Sequence, residues 1–361
     1  MRKSDLKYIL TFCACALVIM VPVFLVNFFY DPGEVYFQKM VKDKYVDDYV
    51  KILLSSDTGV REFANERSIK ARLARYAAPY NTVIYGSSRI MQLSPLHMPN
   101  FSEAFPAPVL NLGASAWTLE DTLIFTHLLL QNSRMPKAMV IGMDPWDLRW
   151  DAADRYSILK DQLTGMLNEL GVKKTAERPE PYLIKLLVNS ISFEYFVQSL
   201  KRLRDPSFQL IPDNDLKNYA RAGADDQLTL KDGSRVFSRQ TVWDLENDYA
   251  HGNVGFIGQQ GAYWDDNAIE VFEKMIGLVR KKGAEVYFVL IPFSPLVFEQ
   301  EHAADRDRII AVESKIREIA QKNDITVLGS YDPQKNHLGA NDFLDCQHPT
   351  PNALAKFDFN H

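Results

Sequence analysis

Three short apolar runs, each stopping at a glycine, constrain this chain more than any other feature. Thr82-Val83-Ile84-Tyr85 stops at Gly86, Val109-Leu110-Asn111-Leu112 at Gly113, and Ala138 to Ile141 at Gly142. Runs of this length are short for helices and nearly continuous in apolar character, as strands buried on both faces are. A helical pattern from about Thr118 to Gln131 separates the second run from the third. The rhythm resumes near the end of the chain. A helix over about Asn267–Lys281 leads into Glu285–Ile291, and one over about Asp307–Lys322 leads into Ile325–Leu328. Strands alternating with helices of this length imply βαβ units and a parallel sheet, so the expected fold class is α/β.

The N-terminus carries a different signal. From Tyr8 to Tyr30 there is no charged residue, with Arg2, Lys3 and Lys7 before the run and Asp31 and Glu34 after it. About 20 such residues cross the hydrocarbon core of a bilayer, and the charge flanks would keep the N-terminus in the cytoplasm. The run is long, and no small-residue cleavage site follows it, which favours an uncleaved anchor over a signal peptide. The expected organisation is a cytoplasmic stub and transmembrane anchor over 1–30, a connector over 31–80, and an α/β domain over 81–361. An insertion interrupts that domain at about 151–260, where the sequence is richer in Asp, Arg, Asn and Gln. Within it, helical stretches are expected near Tyr182–Leu203 and a polar loop near Asp213–Arg239.

Composition narrows the function classes. A formal net charge of −5, with no Lys/Arg-rich face or tail, gives no basis for nucleic-acid binding. Lys201, Arg202 and Arg204 form only a short basic cluster. Of three cysteines, Cys13 and Cys15 lie in the apolar N-terminal run, leaving Cys346 without an intrachain disulfide partner outside it. His97, His127, His251 and His302 show no metal-ligand spacing, so neither a metal nor a cofactor is expected.

In open parallel sheets, ligands bind beyond the C-terminal ends of the strands. Gly86-Ser87-Ser88, Asn111-Leu112-Gly113 and Gly142-Met143-Asp144 all arrive there, joined from the end of the chain by Asp345-Cys346-Gln347-His348. A serine hydroxyl is a poor nucleophile until a histidine takes its proton, and that histidine needs a third group to orient it. Ser88, His348 and Asp345 supply those three roles. Ser87 is the alternative nucleophile, and His337 the alternative base, lacking an Asp three residues before it. Arg89, Asp144, Trp117 and Trp146 are candidates to line the site. The two tryptophans could stack on a sugar or pack in the core.

This set of residues resembles the SGNH (GDSL-like) hydrolase superfamily. The first block of that family corresponds to Gly86-Ser87-Ser88, its second-block glycine to Gly113, and its Asp-x-x-His block to Asp345 and His348. The resemblance implies a flavodoxin-like three-layer α/β/α fold, with the backbone N–H groups of Ser88 and Gly113 as oxyanion donors. The third block departs from the family's Gly-x-Asn-Asp, because Gly142-Met143-Asp144-Pro145 puts Asp144 where an amide is usual. An ionised Asp144 would repel an oxyanion, so it must be protonated, turned away or holding Arg89. With Ser87 before the nucleophile, the chain resembles the membrane-tethered branch of the superfamily, whose members serve teichoic-acid D-alanylation and exopolysaccharide O-acetylation. That likeness implies acyl transfer or ester hydrolysis on an envelope or secreted polysaccharide, at the outer face of a bacterial cytoplasmic membrane. It also implies a possible membrane-bound O-acyltransferase as partner. The alternative is a non-catalytic glycan-binding or assembly subunit.

Overall fold

A computed structural model describes residues 3–30, 41–57, 59–61, 66–96, 98–150, 159–172, 228–237, 262–299 and 302–357, with short pieces within 191–200, 210–211 and 242–247. The strands are β1 (Gly59–Arg61), β2 (Thr82–Tyr85), β3 (Val109–Asn111), β4 (Ala138–Gly142), β5 (Leu210–Ile211), β6 (Leu228–Leu230), β7 (Arg235–Val236), β8 (Glu285–Leu290) and β9 (Thr326–Gly329). The helices are α1 (Lys3–Tyr30), α2 (Val41–Ser55), α3 (Glu66–Ala74), α4 (Pro99–Ala104), α5 (Leu119–Leu130), α6 (Lys160–Glu169), α7 (Asp266–Lys281), α8 (Ala303–Lys322) and α9 (Pro351–Ala355). Two compact units result, one from Met1–Asp48 and Lys174–Phe208, the other from Tyr49–Lys173 and Gln209–His361.

The larger unit is α/β. Its main sheet has the order β3-β2-β4-β8-β9, and every neighbouring pair is parallel. Alternate residues face opposite sides of a strand, and both sides are apolar here. On one side Ile84, Val109, Val140, Val289 and Leu328 form a core with Phe101 and Phe105 from the α4 segment, Leu354 of α9 and Phe357. On the other, Phe288 stacks on Phe272 of α7 at 5.8 Å between ring centroids, and the Tyr85 hydroxyl bonds Thr126 Oγ1 of α5 at 2.9 Å. Layers on both faces explain why these strands lack polar alternation. The chain winds from β2 to β3 on one side and to β4 on the other, so the switch point lies between β2 and β4. There Tyr85, the last residue of β2, lies opposite Ile141, one residue before the end of β4.

Helix ends follow local chemistry. The Asp265 side chain accepts from the N–H groups of Asn267 and Ala268 at 2.8 and 3.1 Å, fixing the start of α7. The Asp121 carboxylate accepts the Thr118 N–H at 3.1 Å at the start of α5.

A second sheet, β5-β1-β6-β7, is antiparallel. It changes two readings from the sequence. The stretch read as a connector contributes β1 and α3 to the larger unit. The polar loop expected near Asp213–Arg239 contains the β6–β7 hairpin, with Gly233 at φ +80 in its turn. An Asp-Gly pair is a hairpin signal, but strands of two and three residues are too short to show a period. The helical expectation over Tyr182–Leu203 lies largely outside the described residues.

In the smaller unit, α1 runs through the apolar N-terminal segment and presents Phe12, Leu17, Val18, Ile19 and Phe29 as exposed side chains. Among the described residues no helix is long and apolar enough to cross a membrane. The side chains of Ile9, Leu10, Cys13, Ala14 and Cys15 are outside the described set.

Candidate active site

The turn after β2 is a short 3-10 helix over Ser88–Ile90, and its geometry separates the two serines. Ser87 is buried, and its hydroxyl accepts the Arg89 N–H at 3.2 Å, capping the turn. Ser88 is half-buried, with Oγ 2.8 Å from Nε2 of His348. Nδ1 of His348 lies 2.8 Å from Oδ2 of Asp345. Oδ1 of Asp345 accepts the backbone N–H groups of Gln347 at 2.7 Å and His348 at 2.6 Å. Ser88, His348 and Asp345 thus stand in one hydrogen-bonded line, from residues 260 positions apart in the case of Ser88 and His348. Burial raises the pKa of the Asp345 carboxyl. The bond and charge of His348 and the two backbone donors outweigh that, and hold it below the ordinary carboxylate value.

The loop carrying Asp345 and His348 is fastened on three sides. Leu344 N–H donates to the His348 carbonyl at 2.8 Å, closing the turn next to the Phe343–Pro349 bridge. Ser294 N–H, after β8, donates to the Cys346 carbonyl at 3.0 Å. Arg89 Nε donates to the Gln347 carbonyl at 3.1 Å, and Gln92 Nε2 to the Pro349 carbonyl at 3.2 Å. The segment holding the serine therefore also holds the histidine's loop. Cys346 is buried, and burial followed by the Asp345 charge pushes its thiol up to about 12, so it is an inert neighbour of the pair.

Arg89 is buried and faces away from solvent. Nη1 bonds Asp144 Oδ1 at 2.6 Å, Nη2 bonds the carbonyls of Ile291 and, at 3.0 Å, Pro292, and the guanidinium lies 3.7 Å over the Phe293 ring. Of the three roles open to Asp144, holding Arg89 is the one the structure contains. The pair joins the ends of β2, β4 and β8 behind the serine, so neither residue lines a substrate surface. Next to it, burial and then the Asp144 charge push the Asp147 carboxyl well above the ordinary range. Removing one partner of a buried ion pair leaves the other charge uncompensated, at about 3–5 kcal/mol. Arg89→Met is therefore expected to lower the melting temperature sharply in a thermal unfolding experiment. An unchanged midpoint would mean that the buried pair adds nothing to stability.

Gly113 has a different task from the one expected. Its N–H donates to Asn111 Oδ1 at 2.8 Å, so it is not free to meet an oxyanion. The Asn111 amide in turn holds the carbonyls of Ile90 and Leu93, both at 2.9 Å, binding the turn that carries Ser88 to β3. A Cβ at Gly113 or Gly142 would collide with the Ile90 side chain, and one at Gly86 would meet the Gly142 carbonyl first and press tightly on Ile90. The three glycines that end the three strands are a cradle for Ile90, which seats the serine's turn on the sheet. Ser88 N–H donates to no group among the described residues and remains the available oxyanion donor.

Trp117 is fully buried, stacks with Tyr85 at 5.7 Å and donates Nε1–H to Thr122 at 2.7 Å. It is a core residue, and the sugar-stacking role does not apply to it. Trp146 is half-buried and donates to the Trp117 carbonyl at 3.0 Å. His337 is exposed, in the left-handed region at φ 57, at the end of the 3-10 turn Pro333–Asn336. His97 and His251 lie outside the described residues.

Sequence reasoning missed the contribution of the β6–β7 hairpin. Its Asp232 carbonyl accepts the Asn111 N–H at 2.7 Å, and Arg235 N–H donates to the Met91 carbonyl at 2.8 Å. Just after β7, the Phe237 ring meets the His348 ring edge-on at 5.9 Å. The hairpin is secured from α3. The buried Lys70 amine donates to the carbonyls of Asn111 (3.2 Å) and Gly233, and Arg235 pairs with Glu66 at 2.6 Å. Burial raises the Glu66 pKa, but Arg235, Ser115 and Lys70 together hold it below its ordinary value. The Asp-Gly turn was the one signal in sequence that could have flagged this element.

No model of a known protein family matches the chain, and no curated protein matches it.

Proposed function

We propose that this chain is a membrane-anchored, extracytoplasmic serine acyltransferase or esterase of SGNH type, acting on an envelope or secreted polysaccharide. The observation that carries the reading is the line from Ser88 through His348 to Asp345, each link at 2.8 Å. Support also comes from the strand order, which is that of a flavodoxin-like sheet, with Ser88 at its switch point.

In the proposed reaction, Ser88 Oγ attacks an acyl carbonyl while His348 Nε2 accepts its proton. Asp345 holds the other ring nitrogen as the donor, so that Nε2 has a free lone pair. Ser88 N–H stabilises the oxyanion. The protonated His348 then gives its proton to the departing group, leaving an acyl–Ser88 ester. A sugar hydroxyl, or water in an esterase, attacks that ester with His348 again as base. Release restores the free serine, with the acyl group on the acceptor.

The test is to mix the full-length protein with an activated acetyl ester, quench in acid and map the peptides. An acetyl group on Ser88, passed on to added polysaccharide, is expected. Failure of Ser88 to acetylate would overturn the catalytic reading. The second reading, a non-catalytic glycan-binding or assembly subunit, gains from the engagement of Gly113 N–H by Asn111, which leaves one fewer oxyanion donor.

A further inference from the structure

The smaller unit contains a polar contact where an apolar helix would least be expected to have one. Asn27 lies one turn from the end of α1 and is fully buried. Its amide donates to the Ser192 carbonyl at 3.3 Å, and its Oδ1 accepts from the Ser199 hydroxyl at 3.3 Å. At a rise of about 1.5 Å per residue, Asn27 is about 5 Å from the last residue of the helix. The stretch around Ser192 and Ser199 is therefore pinned at the level of the end of α1.

That stretch is unusually apolar for a surface. Ile191 is 55% exposed, Phe193 74% and Val197 37%. On α1 at the same level, Phe24, Leu25 and Phe29 are exposed too. Scattered single hydrophobic residues need no explanation, but several large ones beside one another do. The sequence then runs on into Lys201, Arg202 and Arg204. Apolar side chains with basic residues beside them are the composition of a segment lying in the headgroup–acyl boundary. Anionic headgroups attract such basic clusters.

We infer that Ile191, Phe193 and Val197 lie on the lipid surface at the outer end of α1, with Phe193 and Ile191 inserted beside the anchor. The inference rests on the anchor part of the proposed function. It assigns Asn27 a purpose, because a side-chain amide at that depth needs protein partners, and Ser192 and Ser199 supply them. A second contact beside a single helix would also limit how the chain tilts on the membrane.

The test uses the full-length chain in vesicles of phosphatidylcholine and phosphatidylglycerol, doped with a phosphatidylcholine that carries a diazirine near its glycerol end. After irradiation, adducts mapped by peptide mass spectrometry are expected on both α1 and the peptide containing Ile191–Val197. The Phe193→Asp, Ile191→Ser double variant should lose the second set and keep the first. Adducts on α1 alone in the wild type would overturn the inference and leave the anchor standing. Adducts on neither would overturn the anchor, and the inference with it.

Discussion

Replacing Ser88 with alanine is expected to abolish acyl transfer and leave the fold in place. The hydroxyl is half-buried, and its bond is to His348, so its loss leaves the core and the strand ends untouched. Loss of the nucleophile in a serine hydrolase costs on the order of 10⁶-fold in turnover. Ser87→Ala should behave in the opposite way. It removes the cap on the Arg89 N–H, worth about 0.5–2 kcal/mol by analogy with helix caps, and keeps most of the activity. Turnover of an activated acetyl ester, paired with thermal unfolding of each variant, distinguishes the two. Reversed effects would move the nucleophile to Ser87. Two active variants would leave the glycan-binding reading as the better one.

Asp345→Asn is expected to lower the acylation rate by about 10⁴-fold, the scale of the equivalent change in a serine protease. The physical cause is the tautomer. Asp345 Oδ2 accepts from His348 Nδ1, so Nε2 faces Ser88 as an acceptor. An amide nitrogen in that place would donate to Nδ1 and leave a proton on Nε2, where a base is needed. The wild-type rate should rise with pH along a single ionisation, since the base acts only when neutral. Asp345 adds no second limb near neutrality, because its carboxyl is held below the ordinary carboxylate value. The sign for stability is the usual one for a depressed acid. The contribution of Asp345 to folding is complete above its unfolded pKa of about 3.9. It fades as pH falls through the lower folded value. Stopped-flow acylation from pH 5 to 9 on both proteins is the check. A flat wild-type profile, or an unimpaired variant, would remove His348 from the role of oriented base.

Much of the sheet was legible because its strands are buried on both faces and stop at glycines. The runs at Thr82, Val109, Ala138, Glu285 and Ile325 all became strands within a residue or two at their ends. Helix α8 starts at Ala303, ahead of the expected Asp307, and no side chain caps it. The candidate triad was legible for a different reason, since each member sits where a strand or a tight turn fixes it. What the sequence hid is contact between distant segments. Arg89 and Asp144 were marked, but their burial as a pair beneath the serine depends on β4 lying between β2 and β8. Gly113 was given a chemical role because family likeness pointed there. Its nearest constraint is steric, the Ile90 side chain, which also explains Gly142, whereas Gly86 is held first by the Gly142 carbonyl and by its φ of +155. Trp117 shows the same limit: only the packing of Tyr85 and Phe125 around it makes it a core residue. The β6–β7 hairpin was hidden by its own brevity, and its role comes from α3 and β3, both remote in sequence.

The central claim is that Ser88 is an activated hydroxyl. Labelling the full-length protein with a fluorophosphonate tests it most directly, because that reagent requires a serine whose proton is taken as it reacts. The expected result is one adduct, mapped by peptide mass spectrometry to Ser88, lost in His348→Ala and much slowed in Asp345→Asn. No adduct on the folded wild type, or an adduct on Ser88 that survives His348→Ala at full rate, would contradict it.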